Sequence, residues 1–263
     1  IENRLIDCLV STGANLFHDL HETLGKYHWQ GNAMANDEEL KDEGIDRIYD
    51  VFAIEDEFQK ADEYCYKFSK TLEKRPYTTR EFLYLLGKTL SVYAKTNGIL
   101  TSAYKANIPI YCPAIGDSSI GIGLAMRPEE ENFLFDVIGD VKETALIAAK
   151  ANSTGVVYVG GGTPKNFIQQ TEVTATLMGK KVSGHKYAVQ ITADAPHWGG
   201  LSGCTFEEAQ SWGKIAKKAQ MVTVHCDSTI ALPIIVTALA KRMKGFKRKD
   251  RGLSYIYGRS KAK

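Results

Sequence analysis

The sequence is poor in cysteine, and its cysteines form no short motif. Five cysteines are scattered over 263 residues, an odd number without a Cys-x-x-Cys pair. This pattern indicates neither a disulfide framework nor a zinc site. Cys8, Cys112 and Cys226 lie in apolar, strand-like runs, where cysteine behaves as a small core residue. Cys204 has no histidine in its motif, so a nucleophilic role for this thiol is the weaker interpretation.

Long apolar runs and targeting signals are also missing. No run approaches the roughly 20 residues that a membrane-spanning helix requires, and no basic-then-apolar signal peptide opens the chain. These absences predict a soluble, cytoplasmic protein without membrane contacts. The chain begins at Ile1, directly ahead of a predicted strand, which indicates that part of the fold is missing at the N-terminus.

Charge is nearly balanced overall but unevenly distributed. The net charge is +2, yet ten of the 33 Lys and Arg residues, with one Asp among them, lie in residues 241–263. We therefore predict one domain over residues 1–244 and a basic tail over 245–263. Such a tail either binds nucleic acid or is a solvated terminus, and the second is more common. The rest of the chain carries 23 basic and 30 acidic residues, which suits a polycationic substrate.

Strand-like and helix-like segments alternate through most of the chain. Strands are predicted at residues 5–10, 48–54, 108–112, 154–159, 186–192 and 221–226. Helices are predicted at 55–70 and after Thr78, and residues 26–47 are expected to form a polar, irregular excursion. The alternation predicts an α/β fold, a Rossmann-like and mostly parallel sheet with helices on both faces.

Turns of small or acidic residues follow several predicted strands. A Ser-Thr-Gly-Ala turn at 11–14 opens a helix, where free backbone amides make an anion cradle. Three glycines at 160–162 permit close backbone approach, although the Gly-x-Gly-x-x-Gly dinucleotide fingerprint is absent. Asp117 either binds ribose hydroxyls or caps the next helix. All these turns lie at carboxyl ends of strands, where open α/β sheets bind ligands.

The stretch at 205–214 is the strongest candidate for chemistry. Thr205 and Glu208 form a capping box, which predicts the start of a helix. On that helix Glu208 and Trp212 share one face, and Lys214 lies half a turn further on. Gly213 would cost this helix roughly 1 kcal/mol relative to alanine, which indicates a close approach to the backbone. By residue type alone, Lys214 is an ordinary solvated lysine, Glu208 a cap and Trp212 a core residue.

The run Glu-Ala-Gln-Ser-Trp-Gly-Lys-Ile, residues 208–215, resembles the active-site lysine motif of the deoxyhypusine synthase family. Four further blocks resemble family blocks in the same order: the turn at 11–14, the strand and aspartate at 107–117, the glycine turn at 159–162 and the pair at 227–228. The likeness spans roughly residues 5–243. It implies that Lys214 carries a 4-aminobutyl group as an imine, while Glu208 and Trp212 line a polyamine pocket.

The resemblance also implies NAD, which oxidises an amine to an imine and later returns the hydride. The residues expected to contact NAD are Thr12, Gly13, Ala14, Asp117, Gly161, Gly199, Asp227 and Ser228. Asn166 and Gln170 are expected to bind the substrate. The family assembles as a homotetramer with its sites at subunit interfaces, and the same assembly is expected here.

The chain departs from the family pattern where the polyamine binds. Asn166 replaces a histidine of the family's Lys-His-His run. Four acidic positions of the family carry other residues, namely His18, Ile122, Trp198 and Leu201. Each lost carboxylate removes a charge-assisted hydrogen bond of roughly 1.5–3 kcal/mol. Substitute acidic partners are expected among Asp194, Glu207 and Glu172.

These departures resemble the deoxyhypusine synthase-like branch found in bacteria. Those organisms lack the hypusine-bearing factor, so a small amine is the more natural acceptor. We therefore predict an NAD-dependent aminobutyltransferase that makes a polyamine such as homospermidine from putrescine-type donors or acceptors. One alternative is deoxyhypusine synthesis on a protein lysine with spermidine as donor. The other is a catalytically silent family member in a hetero-oligomer.

Overall fold

A computed structural model describes residues 1–246 together with Arg248, Gly252 and Leu253. The chain forms two compact units, Ile1–Asp136 and a second that begins at Val137. Most of the predicted basic tail, residues 245–263, lies outside the described residues. No helix in the described part of the chain is both long and apolar enough to cross a bilayer.

The first unit mixes helices with short strands. In chain order its elements are β1 (Leu9–Val10), α1 (Gly13–Thr23), β2 (Trp29–Gln30), α2 (Asp37–Asp42), β3 (Ile45–Ile48), β4 (Val51–Ile54), α3 (Glu55–Lys70), α4 (Thr79–Tyr93), α5 (Ile99–Ala106), β5 (Ile110–Tyr111) and α6 (Ser119–Ala125). Strands β1 and β5 pair in parallel, so the turns that follow them lie side by side. Buried side chains of α1, α4 and α5, such as Leu16, Phe82 and Leu100, share one apolar core with β5.

An antiparallel sheet, in the order β2-β4-β3, occupies the region where the sequence predicted an irregular excursion. The single strand predicted at 48–54 is wrong, because β3 ends at Ile48 and β4 begins at Val51. Tyr49 turns the chain between them with a φ of 55°. This left-handed conformation is uncommon for a bulky residue, so the residue types did not indicate a hairpin.

Three histidines cluster where α1 approaches the loop before β2. His18 Nδ1 lies 2.9 Å from His28 Nε2, and His28 Nδ1 lies 2.7 Å from Glu22 Oε1. His21 is fully buried, and its Nε2 lies 3.9 Å from Glu57 Oε2. Burial, reinforced by His28, lowers the pKa of His21 to about 4. His18, where the resemblance leads us to expect a carboxylate, therefore belongs to an imidazole network of the first unit.

The second unit is built on parallel strands. Its elements are α7 (Val137–Lys150), β6 (Gly155–Val159), α8 (Thr163–Gln169), α9 (Thr171–Leu177), β7 (His185–Thr192), α10 (Phe206–Ser211), β8 (Ile215–His225) and α11 (Ser228–Arg242). The strands pair in parallel in the order β6-β7-β8. Val156, Tyr158 and Ala188 of the sheet pack with Phe206 and Ala209 of α10, which fixes this helix on the sheet.

The predicted fold class, α/β with mostly parallel strands, is confirmed. Within the described residues, however, the parallel strands form separate sheets, β1-β5 in the first unit and β6-β7-β8 in the second. The alternation of strands and helices predicts parallel pairing well, because a crossover helix forces that direction. It does not specify which strands are neighbours.

Candidate functional site

Helix α10 begins as predicted but ends before the candidate lysine. The Thr205 hydroxyl caps it by accepting the Glu208 N–H at 3.1 Å. The helix ends at Ser211, and Gly213 adopts a φ of 74°. The prediction that Lys214 lies on this helix is therefore wrong, since a left-handed glycine terminates a helix. Gly213 is the residue that this turn requires, and Lys214 lies directly before β8.

The side chain of half-buried Lys214 reaches back to α8. Its Nζ donates to Asn166 Oδ1 at 3.1 Å, and Asn166 Nδ2 donates to Gln170 Oε1 at 3.2 Å. The centre of the Trp212 ring lies 5.3 Å from Nζ, and this indole is 66% exposed. The second unit thus brings the expected lysine, tryptophan and both amides together. No carboxylate of the described residues forms an ion pair with Lys214.

The expected carboxylates have different surroundings. Glu208 and Glu207 are exposed on α10. Glu172 is buried, accepts the Thr154 hydroxyl at 2.7 Å and the Gly184 N–H at 3.2 Å, and lies 3.6 Å from His185 Nδ1. Burial lowers the pKa of His185, although Glu172 opposes this effect. Glu172 is thus committed to a buried network at the start of β7, so the expectation that it binds an amine is wrong.

Sequence reasoning missed a buried cation beside the site. Lys165 Nζ donates to the carbonyl oxygens of Leu201 at 2.9 Å and Cys204 at 2.8 Å, and it lies 3.4 Å from that of Ser202. Gln190 Nε2 donates to the same Ser202 oxygen at 2.8 Å. The sequence around Lys165 does not indicate these contacts, because the three carbonyl partners lie more than 30 residues further along the chain.

Cys204 lies in the same loop and is a poor nucleophile. Its Sγ donates to the Thr205 carbonyl at 3.6 Å. Burial raises the pKa of the thiol, and the nearby Glu208 adds to this effect, while Lys165 opposes it. The thiolate is therefore disfavoured, which agrees with the weaker interpretation of this cysteine.

Backbone conformation and close packing explain the three glycines of the turn after β6. Gly160 and Gly162 adopt φ values of 70° and 73°. A Cβ added to Gly161 would lie 2.6 Å from Ser202 Oγ and closer still to Ser202 Cα. The space at Gly161, which the sequence assigned to cofactor approach, is thus occupied by the loop that Lys165 holds.

In the first unit, the turns expected to contact NAD lie against each other. The Thr12 hydroxyl accepts the Asn15 N–H at 3.2 Å and caps α1. A Cβ on Gly13 would lie 2.5 Å from Ser118 Cβ, so only glycine allows this approach. Ala14 and Asp117 are both exposed beside this contact. Expected residues from two turns therefore meet at the carboxyl ends of β1 and β5.

The remaining expected cofactor residues lie in the second unit. Asp227 caps α11 by accepting the Thr229 N–H at 2.8 Å and the Thr229 hydroxyl at 2.7 Å, which lowers the pKa of Asp227. Ser228 begins α11, and both follow the carboxyl end of β8. Gly199 is exposed with a φ of 73°. The described residues contain no group of three or more His, Cys, Asp or Glu that could hold a metal ion.

Fold and site together define a class: an α/β protein whose candidate site centres on a lysine amine beside an indole and two amides. Comparison with known proteins then gives the family. The family model described as deoxyhypusine synthase matches residues 1–239, and the chain belongs to the deoxyhypusine synthase family, a family of transferases.

Similar proteins occur in archaea and bacteria. A protein of Methanosarcina mazei named probable deoxyhypusine synthase 2 is 56% identical over 250 residues, which cover 94% of this chain and 72% of that protein. The deoxyhypusine synthase-like protein of Elusimicrobium minutum is 40% identical over 262 residues, covering 97% of this chain and 69% of that protein. A crystal structure from Entamoeba histolytica, described as a deoxyhypusine synthase, superposes with a TM-score of 0.59 at 17% identity, covering 95% of this chain and 69% of that one. The crystal structure supports the fold alone.

Proposed function

We propose that the chain catalyses NAD-dependent transfer of a 4-aminobutyl group between amines, with Lys214 as the covalent carrier. The setting of the Lys214 amine carries this proposal. Its acceptor is the neutral amide oxygen of Asn166, and the Trp212 ring lies 5.3 Å away. Since no described carboxylate pairs with this amine, its attack on an imine carbon breaks no ion pair.

The lysine chemistry divides into two exchanges of one C–N bond for another. Lys214 Nζ adds to the carbon of a substrate imine, the bond from this carbon to the departing amine breaks, and a proton passes from Nζ to the departing amine. The acceptor amine then adds to the same carbon, and Lys214 leaves with a proton. When bound, NAD would supply a hydride acceptor for the oxidation that precedes these exchanges and a hydride donor for the reduction that follows them. Asn166 cannot transfer protons and instead orients Nζ.

The first unit fits a dinucleotide. The amides of Gly13 and Ala14 open α1, where helix N–H groups lack carbonyl partners within the helix. The Asp117 carboxylate is exposed at the neighbouring turn and suits ribose hydroxyls. The Gly13 contact with Ser118 leaves no space for a side chain and keeps the two turns together.

The substrates that suit the second unit are small amines. Asn166 and Gln170 are neutral, and Glu172 is committed to its buried network. The acidic groups that remain for an ammonium are the exposed Glu207 and Glu208 and the half-buried Asp194. Such a site suits a diamine such as putrescine as acceptor, giving a homospermidine-type product. The proposal includes assembly as a homotetramer, which light scattering measures.

The test is a borohydride trap. The protein is incubated with NAD and spermidine, putrescine or agmatine, reduced, and mapped by tandem mass spectrometry. We expect an amine adduct on Lys214 in the wild-type chain and none in Lys214→Arg, which keeps the charge but cannot form the imine. Lys217→Arg, a change of an exposed lysine on β8, serves as the matched control and should retain the adduct. Undiminished transfer by Lys214→Arg would refute the covalent role.

A second candidate is deoxyhypusine synthesis on a protein lysine. The observation that favours it is the name of the archaeal relatives, at 52–56% identity. The two candidates share the Lys214 adduct and differ in the acceptor. Offering putrescine and a lysine-bearing acceptor protein together, with labelled spermidine, separates them, because the label appears in a small polyamine or on the protein. A NAD-bound protein that yields no adduct with any amine would indicate a silent family member.

A further inference from the structure

Lys165 is a buried cation whose partners are backbone carbonyls. The side chain is 4% exposed, and its Nζ contacts the carbonyl oxygens of the loop at 201–204. The Tyr158 ring lies 5.7 Å from Nζ on the sheet side. Burial lowers the pKa of Lys165, while Cys204, Glu208 and Asp194 oppose this effect and Lys214 adds to it. A buried ammonium is costly unless its N–H groups are satisfied, and here three carbonyls satisfy them.

The loop at 201–204 is held from other sides as well. Gln190, buried on β7, donates to the Ser202 carbonyl at 2.8 Å. Gly161 leaves space that Ser202 occupies, and a Cβ on Gly203 would lie 2.6 Å from the Ala195 carbonyl oxygen. The loop therefore has one well-defined position, which depends on contacts with α8 and β7.

This position determines where the candidate lysine lies. The loop ends at Cys204, directly before the Thr205 cap of α10, and α10 leads through Gly213 to Lys214. Asn166, the residue after Lys165, accepts a hydrogen bond from the Lys214 amine. Two neighbouring residues of α8 thus make both contacts: Lys165 holds the loop before α10, and Asn166 accepts the hydrogen bond from the Lys214 side chain after it.

We propose that Lys165 is a positioning residue for the Lys214 chemistry, acting through its contacts with the carbonyls of residues 201–204. The inference rests on the proposed function for its catalytic consequence, while its structural part stands alone. Neutral substitution of Lys165 removes the ammonium from three carbonyls at once. The Ser202 carbonyl keeps Gln190 and the Leu201 carbonyl keeps the Cys204 N–H, so the loss falls mainly on the Cys204 carbonyl, directly before α10. The loop and the start of α10 then lose their fixed position. A shift of about 1 Å at a reacting group lowers rates by about 100-fold.

The test compares Lys165→Met, Lys165→Arg and Lys180→Met with the wild-type full chain. Lys180 is exposed after α9, so its change should leave every readout unaltered. Hydrogen exchange read by mass spectrometry reports on the loop without requiring activity. In Lys165→Met we expect residues 199–206 to exchange at least about 10-fold faster, while β6 and β7 keep their protection. Transfer kcat should fall about 100-fold with less than about a threefold change in the amine KM, and Lys165→Arg should restore part of both losses.

Wild-type exchange at 199–206 in Lys165→Met, or a KM effect without a kcat effect, would overturn the proposal. A Lys165→Met chain that does not fold would assign Lys165 to the stability of the second unit and would also overturn the positioning role. If the wild-type chain forms no Lys214 adduct, the proposed function fails, whereas the exchange result still decides whether Lys165 fixes the loop.

Discussion

Gly161→Ala separates a packing role of the glycine turn from a ligand role. The added methyl group would lie 2.6 Å from Ser202 Oγ and closer to Ser202 Cα. The backbone of Ser202 cannot rotate away as a side-chain tip can, and its carbonyl is fixed by Gln190 and Lys165. The loop must therefore move, or the turn after β6 must open.

Overpacking of this kind costs about 1–3 kcal/mol. For a chain of this size, 1 kcal/mol shifts Tm by roughly 2–4 °C, so Gly161→Ala should lower Tm by roughly 2–12 °C. Gly200→Ala is the matched control in the same loop. Gly200 has a φ of −76° and no atom within 4 Å of an added Cβ. Restricting the unfolded chain at such a site stabilises by about 0.4–1 kcal/mol, so this variant should melt at or slightly above the wild-type temperature.

The assay is thermal unfolding of both variants without any added ligand, followed by NAD titration. If Gly161 is required only for ligand approach, the ligand-free Tm of Gly161→Ala will equal that of Gly200→Ala, and NAD affinity alone will fall. That result would refute the packing explanation. A lower Tm without ligand, with the loss confined to Gly161→Ala, would support it.

Two further substitutions test single groups. Asn166→Asp places a carboxylate 3.1 Å from the Lys214 amine, and the resulting ion pair must break before the amine attacks, so transfer should fall about 10-fold in a steady-state assay. The pKa of His21 is lowered to about 4 by burial. In the unfolded chain the histidine has its ordinary pKa near 6.5, so between pH 6.5 and 4 the unfolded state binds a proton that the folded state does not. The free energy of unfolding therefore falls as the pH drops through this range, by at most about 1.4 kcal/mol per pH unit. His21→Leu should flatten that slope in urea titrations, and an unchanged slope would contradict the assignment.

Local signals predicted the elements that are locally determined. Helix α3 has its predicted bounds, Glu55–Lys70, because acidic residues open it and an apolar stripe continues to its end. Helix α10 begins at its predicted cap but ends early, at Ser211, and Gly213 follows with a left-handed φ of 74°. The prediction that Gly213 lies inside the helix is wrong, because glycine is unfavourable inside a helix but favoured just beyond its end.

Residue types alone do not predict contacts between residues distant in sequence, and only the family resemblance placed Asn166 in the same pocket as Lys214. The motif predicted that Lys214 would lie near Trp212, and the structure adds Asn166 across 48 residues. Lys165 was visible only as part of a motif, because nothing in a lysine specifies backbone carbonyls as its partners. Glu172 was predicted as an amine ligand because residue type alone cannot distinguish a buried carboxylate with its own hydrogen-bond network from an exposed one.

The position of Lys214 in a turn, and not on a helix, has a chemical consequence. In the proposed reaction Lys214 attacks one imine carbon and is later displaced from that carbon by a second amine, so the carbon has to be reached by two amines in turn. Beyond Gly213, the amine has one neutral partner, Asn166, and an indole that is mostly exposed. The contacts that hold the segment before α10 are made by Lys165, and the amine proposed to react lies after α10, with Asn166 as its hydrogen-bond acceptor.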